Sequence, residues 1–405
     1  MIDEDAMLKR LAEEYLAALC LPAGRPPGAP NNRAATAHLA RELEARGLRT
    51  ETPEFDCLLW EAGGARLAVG GEQFAVLPSP FGLGVHAAGR LVVATTADEL
   101  AAADLSGAIV LLRGDIAREQ IMPKHYPFYN PEEHRRVVAL LESKAPMAVV
   151  AAPARNPQSV GAIYPYPLFE DGDFAIPAAH SAAEEGLRLA ARAGQETRIE
   201  IDARRWPGRA CNVVARIGPD GARRLVVCAH IDSRGGTPGA LDNGSGVAVL
   251  LLLAELLQGY RGPLGVELLA VNGEDYYAAS GELDYLARNR GRMGDIALAV
   301  NLDAAGAHGG RTAWALYGVP EAPAAVARRE LGRWPELMEG EPWYQSDHMV
   351  FAQNGVPAMS ITSERFLEVQ ATLCHAPEDT PDKVDAAKLV QMARALRGLV
   401  EALSA

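Results

Sequence analysis

The sequence has few cysteines, and they are not arranged as disulfides or a thiolate metal site would require. Its five cysteines, an odd number, include no CxxC pair and no regular framework spacing. We therefore expect reduced, structural thiols, as in a cytoplasmic protein. The N-terminus also lacks the basic start, apolar stretch and small-residue cleavage site of a secretion signal, which favours the same cytoplasmic location.

Long apolar segments and an excess of basic residues are absent as well. The most apolar run, Val247 to Leu257, is shorter than the roughly 20 residues that cross a bilayer, so no membrane partner is predicted. The chain has 52 acidic and 39 basic residues, and its net charge of −13 is spread along its length. Because nucleic-acid binding needs a basic face, no nucleic-acid partner is predicted either.

What the sequence contains is typical of a globular protein with two or three domains. It has 405 residues, of which 49% are hydrophobic, enough to bury a substantial core. Helical periodicity near the N-terminus predicts amphipathic helices at 5–20 and 33–47, the second capped by Asn31 or Asn32. After residue 205, apolar strands alternate with helices. This pattern predicts an α/β fold, a three-layer α/β/α sandwich around a mixed, mainly parallel sheet.

The region between the N-terminal helices and the α/β pattern has a different sequence pattern. From residue 58 to 203 the chain consists of short strand-like runs broken by glycine and proline, which predict a smaller β-rich insert domain. One segment, residues 122–136, combines two histidines with three aromatic residues between prolines. It is predicted to be a packed surface loop, with a lid over a neighbouring site as the alternative.

Acids and imidazoles recur where the predicted strands of the C-terminal half end. Because ligands bind beyond the carboxyl ends of strands in such sheets, these side chains are expected to gather in space. Single residues of this kind are usually helix caps or satisfied polar groups, but a set at equivalent positions is hard to explain in that way. The set comprises His230, Asp232, Asp242, Glu274, Asp275, Asp303 and His375.

These residue types fit one chemistry. Imidazole and carboxylate without thiolate suit zinc, with cobalt or manganese as alternatives. Two histidines and three carboxylates can hold two ions if one carboxylate bridges them. A metal pair about 3.5–4 Å apart polarises a carbonyl and activates a shared water. A further acid that is not a ligand would take the proton of that water, and Glu274 is the candidate.

The same residues lie in motifs that resemble a known family. "AHID…GALDNGSGVAVLLLLAELL", "VNGED…SGE", "NLDAAG", "SDHMVFAQNGVPAM" and "HAPEDTPDKVD" are similar to the successive motifs of the co-catalytic dizinc aminopeptidases. That family includes enzymes of the leucyl aminopeptidase and aminopeptidase Y type, glutamate carboxypeptidase and the metal-free transferrin receptor. "GRPPGAPNNRAATAHLARELEARGL" resembles the family's helical entry, and residues 58–203 resemble its protease-associated insert. The resemblance thus implies a zinc-peptidase catalytic domain formed by residues 1–57 and 204–405.

The resemblance also implies a ligand set. His230 and Asp303 would bind one metal ion, Asp275 and His375 would bind the other, and Asp242 would bridge the two. The glycine-rich loop would let Asp242 fold back beside His230.

Three further features follow from the resemblance. Glu274 matches the general base, and Asp232 matches the acid that orients the imidazole of His230. Family members also have a cis peptide bond after the bridging Asp, which here falls at Asn243.

Two positions depart from the family pattern. Asp275 stands where the family usually has Glu, and the shorter side chain needs a closer backbone or binds the second metal more weakly. Cys374 stands where a Tyr often stabilises the developing oxyanion, and a thiol is a poor donor. Tyr276, Tyr277 or Tyr344 could take over that role.

The sequence therefore predicts a zinc-dependent hydrolase, an exopeptidase that removes N-terminal residues from peptides. The alternatives are a carboxypeptidase, a dipeptidase or an N-acyl amino-acid amidohydrolase on the same scaffold, and an inactive binding homologue. Arg365 could bind a substrate carboxylate in the carboxypeptidase case, with a surface ion pair as its other interpretation. A serine hydrolase is disfavoured because "DNGSG" is not a GxSxG motif. The partner predicted is a peptide or amide substrate. The insert has two alternative roles, to close over the site or to form an interface with a second copy of the chain.

Overall fold

The computed structural model describes residues 4–21, 23–124, 126, 130–156, 160–170, 172, 174–219, 221, 223–276 and 279–404. The chain divides into two compact units. Unit 1 comprises Met1–Cys57, Arg209–Asp275 and Ala279–Ala405, and unit 2 comprises Leu58–Gly208 and Tyr276–Ala278. The predicted boundary after residue 203 falls inside a strand, Glu196–Cys211, whereas the division occurs after Gly208.

The strands and helices are numbered in chain order. The strands are β1 (Arg49–Glu51), β2 (Glu54–Val69), β3 (Glu72–Phe74), β4 (Leu77–Pro78), β5 (Val85–Ala94), β6 (Ala108–Arg113), β7 (Ala148–Ala152), β8 (Ala178–His180), β9 (Glu196–Cys211), β10 (Val213–Ile217), β11 (Arg224–His230), β12 (Gly265–Val271), β13 (Ile296–Leu302), β14 (Thr312–Tyr317), β15 (Leu337–Glu339) and β16 (Ala358–Ser363). The described α-helices are α1 (Glu4–Leu19), α2 (Pro30–Ala45), α3 (Ala97–Ala102), α4 (Glu132–Lys144), α5 (Ala183–Ala190), α6 (Ser245–Leu256), α7 (Ser280–Arg288), α8 (Glu321–Leu331), α9 (His348–Ala352), α10 (Phe366–Thr372) and α11 (Ala386–Leu403).

Unit 1 is built on an eight-stranded sheet with the order β1-β10-β12-β11-β13-β16-β14-β15. The four central strands β12, β11, β13 and β16 are parallel, and antiparallel pairing occurs toward both edges. This arrangement confirms the predicted mixed, mainly parallel sheet. Parallel strands are apolar throughout because both of their faces are covered, which is why these strands were recognisable in the sequence.

Helices pack on the sheet so that both faces are buried. Alternate β11 residues, such as Val227 and Ala229, join the core formed with α1, α2, α6 and α11. Val226 and Cys228 point to the opposite face and are equally inaccessible to solvent. Helix α6 has eleven buried residues out of twelve, so it is the most enclosed helix of this core. The α/β/α layering thus follows from the side-chain alternation of the central strands.

Unit 2 contains a second eight-stranded sheet, with the order β3-β2-β9-β5-β6-β7-β8-β4. Strands β5 to β8 are parallel, and β6 is buried on both faces. Val110 and Leu112 enter one core, while Ile109 and Leu111 enter another. Helices α3, α4 and α5 belong to this unit, so it is an α/β unit with a larger helical part than the predicted β-rich insert.

Two local predictions need correction. Helix α2 begins at Pro30 with Ala29 as its N-cap, so neither Asn31 nor Asn32 caps it. Proline fits the first helical turn because its missing N–H has no helical partner there. The predicted loop 122–136 ends in helix from Glu132 onward, and its residues 125 and 127–129 lie outside the described part of the chain.

All five cysteines are free thiols, and none of the described helices is long and apolar enough to cross a membrane.

Candidate metal centre

The carboxyl ends of three adjacent parallel strands deliver most of the predicted site residues to one edge of the sheet in unit 1. His230 is the last residue of β11, and Asp303 directly follows β13. Glu274 and Asp275 lie just beyond the end of β12. His375 comes from the loop after α10 and adopts a left-handed backbone with φ 64°. A non-glycine residue in that conformation costs about 1 kcal/mol or more, and such strain is often found at functional sites.

Asp242 stands at the centre of the cluster. Its Oδ1 lies 3.2 Å from Nε2 of His230, and its Oδ2 lies 3.1 Å from Nε2 of His375. Asp303 Oδ1 is 3.6 Å from the first imidazole nitrogen, and Asp275 Oδ1 is 2.9 Å from the second. One carboxylate therefore presents one oxygen to each of two imidazoles, and each imidazole has a further carboxylate of its own.

Among the described residues, three groups of three have ligand atoms close enough to hold a cation, and one of them is His230, Asp232 and Asp275. The other two are His230, Asp242 and Asp303, and Asp242, Asp275 and His375, so Asp242 belongs to both of these two groups. Nε2 of His230 and Oδ2 of Asp275 are buried without a hydrogen-bond partner within the described part of the chain. Buried polar atoms of this kind, on imidazole and carboxylate groups, fit a zinc-type ion as their missing partner.

The crowding of acids and imidazoles shifts their pKa values in opposite directions. Burial raises the pKa of Asp242, but the neighbouring imidazoles of His230 and His375 outweigh burial and hold this pKa below its usual range. Burial and Arg234 both lower the pKa of His375, yet the charges of Asp275 and Asp242 outweigh them and raise it to about 10. The cluster therefore favours positive charge between its carboxylates.

Asp232 supports the cluster in a different way from the one predicted. Its carboxylate accepts hydrogen bonds from the backbone N–H groups of Gly273 (2.8 Å) and Asp275 (3.1 Å). Nδ1 of His230 lies 3.3 Å from the backbone oxygen of Asp232 and 3.7 Å from its carboxylate. The carbonyl thus directs Nε2 of His230 toward the cluster, while the carboxylate fixes the loop that carries Asp275.

Glu274 lies beside the cluster and belongs to none of the three groups above. Its Oε2 is 3.9 Å from Nε2 of His230, and its side chain is 24% exposed. Burial raises the pKa of Glu274 well above its usual range. The charge of His230 lowers this pKa, and the charges of Asp303 and Asp275 raise it further. An acid at the rim that reaches both cluster and solvent has the position that a proton acceptor needs.

One glycine of the loop, Gly239, is required by a close backbone approach. Gly239 has φ 62°, and a Cβ atom there would lie 2.5 Å from Cβ of Ser233 and 2.6 Å from the carbonyl oxygen of Asp242. A side chain at this position would therefore collide with the segment that carries Asp242. The peptide bond between Asp242 and Asn243 is cis, at the position that the resemblance implied.

The structure also bears on the predictions for Cys374, for the candidate tyrosines and for Arg365. Cys374 is 2% exposed, and burial raises the pKa of its thiol well above the usual range, so it is a neutral packing residue. Tyr344 is 68% exposed and packs edge-on against Tyr317, and Tyr277 lies outside the described residues. Arg365 forms an ion pair with Glu368 on the surface, in accord with its structural interpretation.

Three buried acids have no role in the predictions from the sequence. Glu282 is 1% exposed, Asp347 is 2% exposed and Asp379 is fully buried. Burial raises the pKa of Glu282 to about 7 and that of Asp379 to about 7. Each lies in one of the motifs that carry the family resemblance, and that was the only signal that could have pointed to them.

Residues 212–400, which contain the whole cluster, match Peptidase family M28. The M28 match excludes residues 1–57 and most of unit 2, and it covers every strand and loop that delivers a predicted ligand.

The chain as a whole is also similar to known proteins in sequence and fold. The chain is 24% identical over 314 residues to the probable lipoprotein aminopeptidase LpqL of Mycobacterium tuberculosis, a match that covers 75% of this chain and 59% of that protein. Its fold is similar to that of an aminopeptidase from Aneurinibacillus sp. strain AM-1 (TM-score 0.77, 20% identity, covering 97% of this chain and 93% of the other). The zinc aminopeptidase BSAP of Bacillus subtilis gives a TM-score of 0.74 at 18% identity, covering 97% and 94%.

Proposed function

We propose that this protein is a zinc-dependent aminopeptidase that removes residues from the free N-termini of peptides. The observation that carries the proposal is the central position of Asp242, whose two oxygens face His230 and His375 at 3.2 and 3.1 Å. A carboxylate shared in this way suits two ions rather than one. The match of residues 212–400 to Peptidase family M28 supports a peptide substrate. The aminopeptidases among the relatives support the N-terminal specificity.

The proposed roles follow from the positions of the side chains. His230 and Asp303 would hold one ion, Asp275 and His375 the other, and Asp242 both. When bound, such a metal pair supplies a Lewis acid for the scissile carbonyl and lowers the pKa of a water molecule.

Two further residues would act without binding metal. Glu274 would take the proton of the attacking water and pass it to the leaving amine, because it lies at the rim outside both ligand groups. Asp232 would keep His230 in the tautomer whose Nε2 faces the metal, through its own carbonyl oxygen.

The ion pair between Arg365 and Glu368 weakens the carboxypeptidase alternative, because it engages the cation that was a candidate for binding a substrate carboxylate. The native metal, the cytoplasmic location and self-association through the insert remain predictions.

Mass spectrometry of a defined peptide mixture tests the proposal. Each peptide is supplied with a free and with an acetylated N-terminus, in the presence of zinc or a chelator, and Glu274→Gln protein serves as the matched control. The proposal expects zinc-dependent loss of residues from free N-termini only. Trimming of acetylated peptides from the other end would favour the carboxypeptidase, and no cleavage with any metal would favour the inactive homologue.

A further inference from the structure

A buried arginine outside the M28 match contacts the loop between two proposed ligands. Arg25, in the segment between α1 and α2, is 1% exposed. Its Nε donates to the carbonyl oxygen of Ile231 at 2.8 Å, and its Nη2 donates to that of Gly239 at 2.9 Å. Its Nη1 donates to the carbonyl oxygens of Pro238 (2.5 Å) and Leu19 (3.0 Å). A guanidinium group suits this task because its donors spread as a rigid fork.

These bonds tie together the two ends of the loop. Ile231 directly follows His230, and Gly239 lies three residues before Asp242. The backbone of Arg25 adds to the attachment, because its N–H donates to Oγ of Ser233 at 3.0 Å. The distance between the backbone positions of the two ligands is thus set partly by one side chain from the N-terminal segment.

Asp379 holds the same loop from its other end. Its Oδ1 accepts from the N–H of Leu241 at 2.8 Å, and its Oδ2 accepts from the N–H of Asp242 at 3.0 Å. Its backbone oxygen accepts from the N–H of Ala240 at 3.1 Å. Three consecutive amides therefore end on one residue, which lies four positions after His375.

The loop supplies only part of its hydrogen bonds itself, such as the bond from the N–H of Gly244 to the carbonyl oxygen of Gly239 at 2.9 Å. Asp242 and Asn243 have non-helical backbone angles, and both are buried. Buried backbone groups without a partner cost about 1–3 kcal/mol each, so side chains must take the place of a helix or sheet.

We propose that Arg25 and Asp379 are a pair of positioning residues that hold the segment 238–242 between them and thereby fix the Asp242 carboxylate for both metal ions. Arg25 accounts for the carbonyl groups at the start of the segment, and Asp379 accounts for the amides at its end. The proposal rests on the metal-binding part of the proposed function.

A second contact links helix α2, which follows the segment of Arg25, to the loop of Asp275. Nδ2 of Asn32 donates to Oδ1 of Asn272 at 2.8 Å, and Nδ2 of Asn272 donates to Oδ1 of Asn32 at 2.9 Å. Nδ2 of Asn32 also donates to the carbonyl oxygen of Arg25 at 3.0 Å. Arg25 and α2 therefore contact two of the loops that carry proposed ligands, the one between His230 and Asp242 and the one before Asp275.

Arg25→Lys and Asp379→Asn test the pair while keeping size and polarity close to the original. Lysine has three donors and cannot span four carbonyls, and the asparagine amide places a donor where an acceptor is needed. Zinc affinity is measured by competition with a chelator, and peptide-level hydrogen exchange reports on the amides of residues 238–242. Both variants should bind zinc about 10–100-fold more weakly, which is the usual effect of losing a partner of a metal ligand. Both should also exchange these amides faster.

The matched controls are Arg46→Lys and Asp385→Asn. Arg46 has a largely buried side chain, 10% exposed, and pairs with Glu42 and Glu255. Asp385 caps the last helix by accepting from the N–H of Ala387 at 2.9 Å. These variants lose polar contacts of the same kinds but none to the loop, so they should keep the zinc affinity of the wild type even if their melting temperatures fall.

Wild-type zinc affinity and unchanged exchange in both test variants would overturn the positioning role. Equal losses of zinc affinity in the control variants would also overturn it. A wild-type protein that binds zinc but cleaves no peptide would refute the aminopeptidase proposal alone, since affinity and exchange still report on the loop. The isosteric Asp379→Asn variant keeps the test decisive if Arg25→Lys does not fold.

Discussion

The sheet of unit 1 buries carboxylates near both ends of β12, but they have different partners. Near its start, Glu267 is fully buried and accepts from Nε of Arg216 and from Oη of Tyr285, each at 2.6 Å. Nε of Arg224 lies 3.4 Å from the same carboxylate. Beyond its end, Asp275 faces the imidazole of His375, and its Oδ2 has no hydrogen-bond partner within the described part of the chain.

The difference separates a structural acid from a metal ligand. A buried carboxylate is stable when the protein supplies its cation, as the arginines do for Glu267. The carboxylates at the other edge share two imidazoles among themselves, which leaves room for cations from solution. Burial of an acid is therefore not the informative feature, whereas the source of its counter-charge is.

The largest effect is expected from Asp242→Ala, which removes the carboxylate common to both proposed metal groups. The variant should lose both zinc ions and all activity above background. Zinc content by mass spectrometry of the purified protein, together with a peptide assay, checks this. Unchanged metal content would contradict the bridging role.

Glu274→Gln should separate chemistry from metal binding. The amide cannot accept the proton of the attacking water, so kcat should fall about 10²–10⁴-fold. Zinc content should equal that of the wild type, because Glu274 lies outside both ligand groups. Turnover at the wild-type rate would remove Glu274 as the base.

Glu267→Gln should lower the stability of the fold without affecting zinc binding. Removing this charge leaves Arg224 without its carboxylate and Arg216 with Glu51 alone, at 3.0 Å. The loss should cost about 3 kcal/mol in the free energy of unfolding. Urea denaturation measures the loss, and the zinc content should stay unchanged. A loss of zinc here would break the distinction between the two ends of the sheet.

Arg365→Ala should have the smallest effect. Arg365 is exposed and paired only on the surface with Glu368, so the free energy of unfolding should change by at most about 0.5 kcal/mol. The kcat/KM for peptides with free N-termini should stay the same. A selective loss of activity on peptides with a free C-terminal carboxylate would revive the carboxypeptidase alternative.

The sequence allowed the central strands and the main cluster to be predicted for one physical reason. Parallel strands covered on both faces are apolar throughout, so β11, β12 and β13 stand out, and the polar residues that follow them must share one edge. Without the resemblance, the bridging role of Asp242 would have stayed one option among several carboxylates.

The features that were missed depend on contacts between distant loops. Arg25 lies in a segment without periodicity, and nothing local indicates that its partners are the carbonyls of residues 231, 238 and 239. Asp379 lies in a recognised motif, but its role depends on the backbone of the loop it holds. Asn32 resembled a helix cap by type, whereas it is buried against Asn272.

The bridging role proposed for Asp242 requires its carboxylate to lie between two metal ions. Anomalous diffraction at the zinc edge, from crystals of wild-type protein grown with zinc, tests it most directly. We expect two peaks, one beside His230 and Asp303 and one beside Asp275 and His375, with Asp242 contacting both. A single peak, or peaks that leave Asp242 without contact, would contradict it.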